Sequence, residues 1–367
     1  MTIVFDRRLV LNFDWGYFFL IIILSGIGII NLYSASYSFE ETAKAIYIRQ
    51  MYWLGLGICL MLITFVIDYR QYEQYAYFIY FLSIVLLTLV LISGKVAGGS
   101  QRWLQVGPFR VQASEFMKIS ITLALAKYFH KERGTDIYSL RDLIIPMLMV
   151  ALPMILIIKE PDLGSALMIM FIAIAVIFFN KIDKRSLLVI IIAGLILTPF
   201  SWYMLKDYQK QRIRTLFSSD IDPQSSGYHI IQSKIAVGSG LFSGKGFMQG
   251  TQSQLRFLPE HHTDFIFSVL AEEWGFLGCF IVLILFLALL LWGINISTHS
   301  KDKFGAIVAF GITAMLFFQI VINIGMVIGI MPVVGITLPL FSYGGSSMIS
   351  VFICFGLMFN ISMRKFL

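Results

Sequence analysis

Asp264 stands at a sharp change of solvent preference. It closes the polar segment RFLPEHHTD (256–264), and the apolar run FIFSVLA begins at the next residue, Phe265. A carboxylate at such a boundary has two uses. It can complement the positive end of a helix that starts there. It can also serve as a general base, because partial burial lifts a carboxylate above its usual pKa of about 3.9, toward the pH at which proton transfer is efficient. Glu260, His261, His262 and Asp264 crowd together, but they lack the i, i+4 spacing of helical metal ligands, and no HExxH occurs. A dedicated protein metal site is therefore not expected. A magnesium ion shared between one or two carboxylates and a phosphorylated ligand is compatible with the same residues.

Three more clusters carry chemistry. In GGSQRWLQVGPFRVQASEFMK (98–118), Glu115 and Lys118 are three residues apart and share a helix face. Charges inside an apolar helix are costly, so they pair or line a cavity. Arg102 and Lys118 suit a phosphate, arginine through its bidentate fork, with Glu115 positioning them and Gln112 as a further polar contact. KEPDLGSA (159–166) reads equally as a tight turn, with Asp162 as a favourable first-turn acid, or as a source of two carboxylates, Glu160 and Asp162. MPVVGITLPLFSYGGSS (331–347) carries two prolines and three glycines next to an apolar run. Irregular backbone at membrane depth is tolerated only against protein or a wet cavity. Its amides and hydroxyls, at Ser342, Gly344 and Ser346, suit an anionic group. Arg214 and Arg256 are weaker cationic candidates. Glu272 and Glu273 lie deeper in the run that begins at Phe265, and at least one should face the protein interior.

The elements that must position these clusters follow from composition. The chain of 367 residues is 58% hydrophobic and 13% charged, against about 45–50% and about 25% in soluble domains. Most of its surface must therefore face lipid. Ten apolar runs, at about 15–35, 51–67, 76–93, 114–129, 143–159, 163–180, 186–205, 265–293, 304–330 and 346–363, reach or approach the roughly 20 helical residues that cross a bilayer. Backbone in lipid must satisfy its own hydrogen bonds, so the runs are read as helices, and barrel-type alternation is absent. The expected fold is an all-α polytopic integral membrane protein. It has ten transmembrane helices in a single membrane domain over 1–367, with a large extracytoplasmic loop, 206–264, between helices 7 and 8. The first run is read as a retained span.

With the N-terminus inside, fourteen lysines and arginines fall in inward segments and six in the short outward ones. That bias places both termini in the cytoplasm and Asp264 outside. Within the long loop, 207–217 is expected as an interfacial helix, 227–240 as a short helix stopped by glycines, and 243–254 as a turn-rich segment packed near the site. Cys59, Cys279 and Cys354 sit in apolar runs without ligand spacing and are read as fillers. The net charge of +7 follows the membrane loops, and no basic patch interleaved with aromatics points to nucleic acid.

Taken together and in this order, AGGSQRWLQVGPFRVQASEFMKI, KEPDLGSAL, GYHIIQSKIAVGSG, GKGFMQGTQSQLRFLPEHHTDFIFSVLAEEWG and MPVVGITLPLFSYGGSS resemble the SEDS family of shape, elongation, division and sporulation proteins. The likeness runs from the first span to the last, and GYHIIQSK and GTQSQ favour its rod-shape branch. Ala113 stands where the family often has proline, and Lys159 where glutamine is common. The resemblance implies a peptidoglycan glycosyltransferase of the bacterial inner membrane. Its substrate would be lipid II, a disaccharide-pentapeptide on undecaprenyl diphosphate, and its partner a class B penicillin-binding protein. The family's essential outer-loop aspartate would be Asp264. No cofactor is obligatory on this reading, and a magnesium or manganese ion accompanying the diphosphate is allowed. Two other classes compete. A lipid II flippase would suit a polytopic bundle with intramembrane charges, but no inverted repeat is evident. A non-catalytic scaffold for the transpeptidase would tolerate charge-neutral changes at Asp264.

Overall fold

The computed structural model describes residues 13–37, 43–97, 100–107, 109–131, 137–204, 209–210, 214, 226–254 and 262–365. The long helices are α1 (Trp15–Ser36), α2 (Ala43–Val66), α3 (Tyr69–Ser93), α4 (Ala113–Lys131), α5 (Ile144–Lys159), α6 (Leu163–Phe179) and α7 (Lys184–Met204). After α8 (Ser226–Ser239) and the single turn α9 (Thr251–Gln254) come α10 (Ile266–Thr298), α11 (Lys303–Val327) and α12 (Gly345–Arg364). Among the described residues, six helices, α1, α2, α3, α10, α11 and α12, are long and apolar enough to cross a membrane, and α5 and α6 are shorter apolar helices. The chain is a multi-pass membrane protein.

Helix starts follow from local chemistry. Asp14, Asp68, Asp162 and Asp302 each accept a backbone N–H in the first turn of α1, α3, α6 and α11, which satisfies donors that the helix itself leaves unpaired. Two helices begin earlier than their apolar runs. α2 starts at Ala43 rather than about 51, and α3 at Tyr69 rather than about 76. The stretches ahead of those runs carry Lys44, Arg49, Arg70 and Glu73. The hydrogen-bond ladder continues through charged residues that stand clear of the apolar run, so hydropathy underestimates helix length.

The helix richest in charged residues lies in the core. α4, which carries Glu115, Lys118 and Lys127, is buried along nearly its whole length, and α11 and α12 pack with it at the centre. α2, α3, α5 and α10 present faces of exposed Phe, Ile and Leu, such as Phe78, Phe81, Leu148 and Ile284. A charged helix belongs inside a bundle because lipid cannot solvate its side chains.

Two features differ from the sequence expectation. Residues 95–112 form a three-stranded antiparallel sheet of β1 (Lys95–Ala97), β2 (Ser100–Val106) and β3 (Phe109–Gln112). Val106 pairs with Phe109 across a two-residue turn whose first residue, Gly107, has φ 61°. That sign of φ is what a tight hairpin turn needs there, and only glycine adopts it without steric cost. The second difference is in α10, which is broken at Gly275 (φ 62°, ψ −161°). The break frees backbone groups at membrane depth, and the segment after α8 takes them up. Lys245 and Gly246 donate to the carbonyls of Glu272 and Glu273, while Phe276 and Leu277 donate to those of Leu241 and Phe242, all at 2.9–3.1 Å. A broken span is viable only with such replacement partners.

The expected helix at 227–240 is α8, and the expected turn-rich segment at 243–254 is these turns followed by α9. The expected interfacial helix at 207–217 lies outside the described residues except for 209, 210 and 214. Both glutamates face inward. Fully buried Glu272 accepts from Lys245 Nζ (2.6 Å), Thr251 Oγ1 (3.1 Å) and Gln252 N (3.0 Å), and Glu273 accepts from Ser34 Oγ at 2.5 Å. Replacing Lys245 with methionine leaves a buried carboxylate without its cation. The expected cost is roughly 3 kcal/mol, read as a lower melting temperature in detergent, with most of it recovered when Glu272→Leu is added.

Candidate active site

Helix direction alternates along the chain. The ends that carry the sheet, the turn after α5, the entry to α10 and the segment between α11 and α12 therefore fall together. The opposite end is closed by its own contacts. Arg364 pairs with Asp68 at 2.7 Å, Tyr69 Oη donates to Asp302 at 2.6 Å, and Lys303 donates to Tyr138 Oη at 2.9 Å.

Asp264 lies at the entry to α10, partly buried. The N-cap position of α10 falls on Phe265, and no side chain caps the helix there. Three ties hold 262–264 in place. Asn323 Nδ2, fully buried on α11, donates to the carbonyl of Asp264 at 3.0 Å and to that of Ile336 at 2.7 Å. Ser342 Oγ donates to Thr263 O at 2.6 Å. Tyr343 N donates to His262 O at 2.9 Å. The carboxylate itself faces Gly335, where a Cβ would stand 3.5 Å from Oδ2. Gly335 has φ 73°, so any other residue there would be strained, and its Cβ would lie in contact with the carboxylate.

The irregular segment 331–344 is the hub of this end. Ser342 Oγ also accepts from Leu338 N at 2.8 Å, and Gln50 of α2 donates to Ser342 O at 3.1 Å while accepting from Gly344 N at 3.3 Å. Thr337 and Ser347 hydroxyls meet at 2.9 Å. Val334 O lies against Gly164, where any Cβ would collide with it. The hub therefore touches Asp264 on one side and the turn between α5 and α6 on the other. α12 leaves the hub at Gly344 with no side-chain cap on its N-terminus, a place that favours negative charge.

The turn and the sheet bring the next residues together. Asp162 accepts from Ser165 N (3.1 Å), Ser165 Oγ (2.8 Å) and Gln112 Nε2 (3.3 Å), and its Oδ1 is 3.7 Å from Arg102 Nη1. Arg102, from β2, also donates to Pro161 O. Ser346 Oγ accepts from Gln112 N at 3.1 Å and donates to Arg110 O at 3.2 Å, which ties β3 to the start of α12. Glu160 is buried beside Asp162. Loss of water around it, then the negative Asp162, push its carboxyl up to about 8, with Arg102 opposing them.

Glu115 and Lys118 pair with each other at 2.8 Å, and Glu115 also accepts from Ser350 Oγ of α12 at 2.8 Å. Both residues are almost fully buried, so the pair joins α4 to α12 inside the bundle. Ser342, Gly344 and Ser346 are likewise engaged within the protein, as described above. Arg214 is exposed, and Arg256 lies outside the described residues. Three residues that hold the site were not singled out from the sequence: Gln50, Asn323 and Ser350. Their signal was present, since a buried polar side chain in an apolar run needs a partner, but nothing local names that partner. Among the described residues no group of three or more His, Cys, Asp or Glu is placed to hold a metal. The arrangement offers a carboxylate at the edge of the bundle, a partly exposed arginine side chain, and a helix N-terminus without a side-chain cap, which suits proton abstraction beside an anionic leaving group.

The chain is similar in sequence and fold to known proteins. The family profile described as a cell cycle protein, FtsW/RodA/SpoVE, matches residues 15–366. The chain is similar to the peptidoglycan glycosyltransferase MrdB of Escherichia coli K12, with 39% identity over 318 residues, covering 86% of this chain and 85% of that one. Its fold is similar to a chain solved in work on the structural coordination of polymerization and crosslinking by a peptidoglycan synthase complex. There the TM-score is 0.83 at 33% identity, over 96% of this chain and 98% of the other. It is also similar to the rod shape determining protein RodA of Thermus thermophilus, with TM-score 0.72 at 30% identity over 97% and 98% of the two chains.

Proposed function

From the premise that this chain belongs to the FtsW/RodA/SpoVE family of cell cycle proteins, we propose that it is a peptidoglycan glycosyltransferase that polymerises lipid II during elongation and shape maintenance. It acts in the bacterial inner membrane, with ten spans, both termini in the cytoplasm and the site outside. The six long apolar helices and the two shorter ones support that reading, which takes α4 and α7 as the remaining spans. The lysine and arginine bias supports the orientation.

The observation that carries the mechanism is the setting of Asp264. Its backbone is pinned by Asn323, Ser342 and Tyr343, and its carboxylate is held against Gly335 at the lip of the bundle. Asp264 is the general base. It takes the proton from the 4-hydroxyl of the acceptor sugar as that oxygen attacks the anomeric carbon of the lipid-linked muramoyl end. Undecaprenyl diphosphate leaves, and the α linkage becomes β. The departing diphosphate is already a good anion, so positive potential matters more than proton donation. Arg102 and the N-terminus of α12 supply it, with Gln112 ordering the arginine's neighbours and the Glu115–Lys118 pair keeping α4 and α12 in register. Arg214 and Arg256 are further cationic candidates from the outer loop. A divalent ion, where one accompanies the diphosphate, takes substrate oxygens and at most one or two carboxylates. The partner is a class B penicillin-binding protein, docked on exposed apolar helix faces.

The test is made in vesicles. Lipid II is supplied only in the leaflet that the Asp264 end faces, with the transpeptidase present and with or without chelator. Glycan polymer should form without any translocation of lipid. Movement of lipid II across the bilayer with no polymer would instead favour a flippase.

A further inference from the structure

Glu160 has a role that the turn around it does not explain. Asp162 and Glu160 are both buried in one three-residue turn, at 2% and 1% exposure, and their hydrogen bonding is unequal. Asp162 has three donors on its two oxygens and Arg102 Nη1 at 3.7 Å. Glu160 Oε1 is buried with no hydrogen-bond partner. Arg102 Nε is likewise buried without one. Burial without a hydrogen-bond donor favours the neutral form of a carboxyl, and Glu160 is so placed. The proton of the pair therefore resides on Glu160.

Arg102 is the hinge of the matter. Its side chain is 22% exposed; Nη2 donates to Pro161 O, Nη1 stands 3.7 Å from Asp162 Oδ1, and only Nε is buried without a partner. Among the described residues, three charged groups lie near Glu160. Lys159, exposed, precedes it on α5; Asp162 shares its turn; Arg102 reaches it from β2. From the other side, the 331–347 segment contributes Tyr343 as its only titratable side chain and leads to Asp264 through Gly335.

We propose that Glu160 is a positioning residue. Protonated, it leaves the Arg102 guanidinium open to an anionic phosphate; deprotonated, it draws that guanidinium inward and closes the phosphate subsite. Burial and the neighbouring Asp162 place this change at about 8, just above neutrality. The assignment of phosphate binding to Arg102 rests on the glycosyl-transfer reading above.

The sign of the stability linkage is set by the raised value. Glu160 ionises at about 4.5 when exposed and about 8 when folded. The folded chain therefore holds a proton that the unfolded chain has already lost, and stability falls as pH rises across that window. The experiment compares the parent with Glu160→Gln, each with its transpeptidase partner, between pH 6 and pH 9.5. For the parent, kcat/KM for lipid II should drop about tenfold from pH 7 to pH 9, with the loss in KM. For Glu160→Gln the same ratio should stay near one, whatever its absolute rate. A second measurement needs no turnover. The melting temperature of Glu160→Gln minus that of the parent should grow from pH 5 to pH 8 and then level off. Equal alkaline losses in both proteins, or a pH-independent melting difference, would overturn the assignment. A parent that makes no polymer at any pH would count against the glycosyl-transfer reading alone, while the melting series would still decide the protonation of Glu160.

Discussion

Replacing Asp264 with asparagine is expected to lower polymerisation of lipid II by about 10²–10⁴-fold, the usual contribution of a positioned acid–base group, while leaving the fold intact. The reason for both halves lies in which atoms do what. Asn323 holds Asp264 through the main-chain carbonyl, and Ser342 and Tyr343 hold the main chain of the two preceding residues. An asparagine keeps all of these. It also keeps the volume that faces Gly335. What it loses is the ability to accept a proton. The assay is polymer formation by the purified chain with its transpeptidase partner, read on a gel beside a melting curve of the same sample. Polymer at the parental rate would remove Asp264 from the chemistry and with it the mechanism proposed above.

A second large effect is expected at Asn323, a residue that touches no reacting atom. Its side-chain amide joins the carbonyl of Asp264 to that of Ile336, and so it sets the distance between the base and the irregular segment that carries Gly335. Leucine of similar size would leave two buried carbonyls without this donor. Each such loss costs about 1–3 kcal/mol, and a displacement of the base by about 1 Å costs on the order of 10²-fold in rate. Asn31 provides the control. It is buried on α1 and donates to the carbonyl of Ile266 at 3.0 Å, two residues beyond Asp264, but it makes no tie to the 331–344 segment through that bond. Asn31→Leu should lower the melting temperature and retain kcat to within a few-fold. Asn323→Leu should lower both, with the loss in kcat rather than KM. Equal kcat in the two variants would mean that Asn323 contributes only to stability.

Much of the architecture was legible before any coordinates. Apolar runs long enough to cross a bilayer have few alternatives, because lipid offers backbone groups no partner. The described helices accordingly fall on the expected runs, with ends displaced where charged residues prolong α2 and α3. Asp264 was legible for the same reason. A carboxylate at the first residue before an apolar span marks the membrane boundary whatever surrounds it. The alternation of spans also implied that the four polar clusters share one end, and their contacts through the 331–347 segment agree with it.

The hairpin at 95–112 was readable in principle from Val106-Gly107-Pro108-Phe109, but its arginines drew attention to charge rather than to strand pairing. The break in α10 was not readable. Gly275 sits in an uninterrupted apolar helix pattern, and its unusual backbone is possible only because residues 241–246 supply the missing hydrogen bonds.

Composition and order along the chain were enough to establish a multi-pass helical bundle, its polar end and the carboxylate at its lip, because partition between water and hydrocarbon depends on each residue and its near neighbours. The partners of each charge were decided only by packing, and the charge state proposed for Glu160 is argued from them. Whether Lys118 meets an anion or Glu115, whether Glu160 keeps its proton, and which amide steadies Asp264 all depend on partners far apart in the chain, as with Gln50 and Ser342 at 292 residues. Electrostatic and hydrogen-bond energies are functions of distance in space, and a linear order of residues contains no such distances.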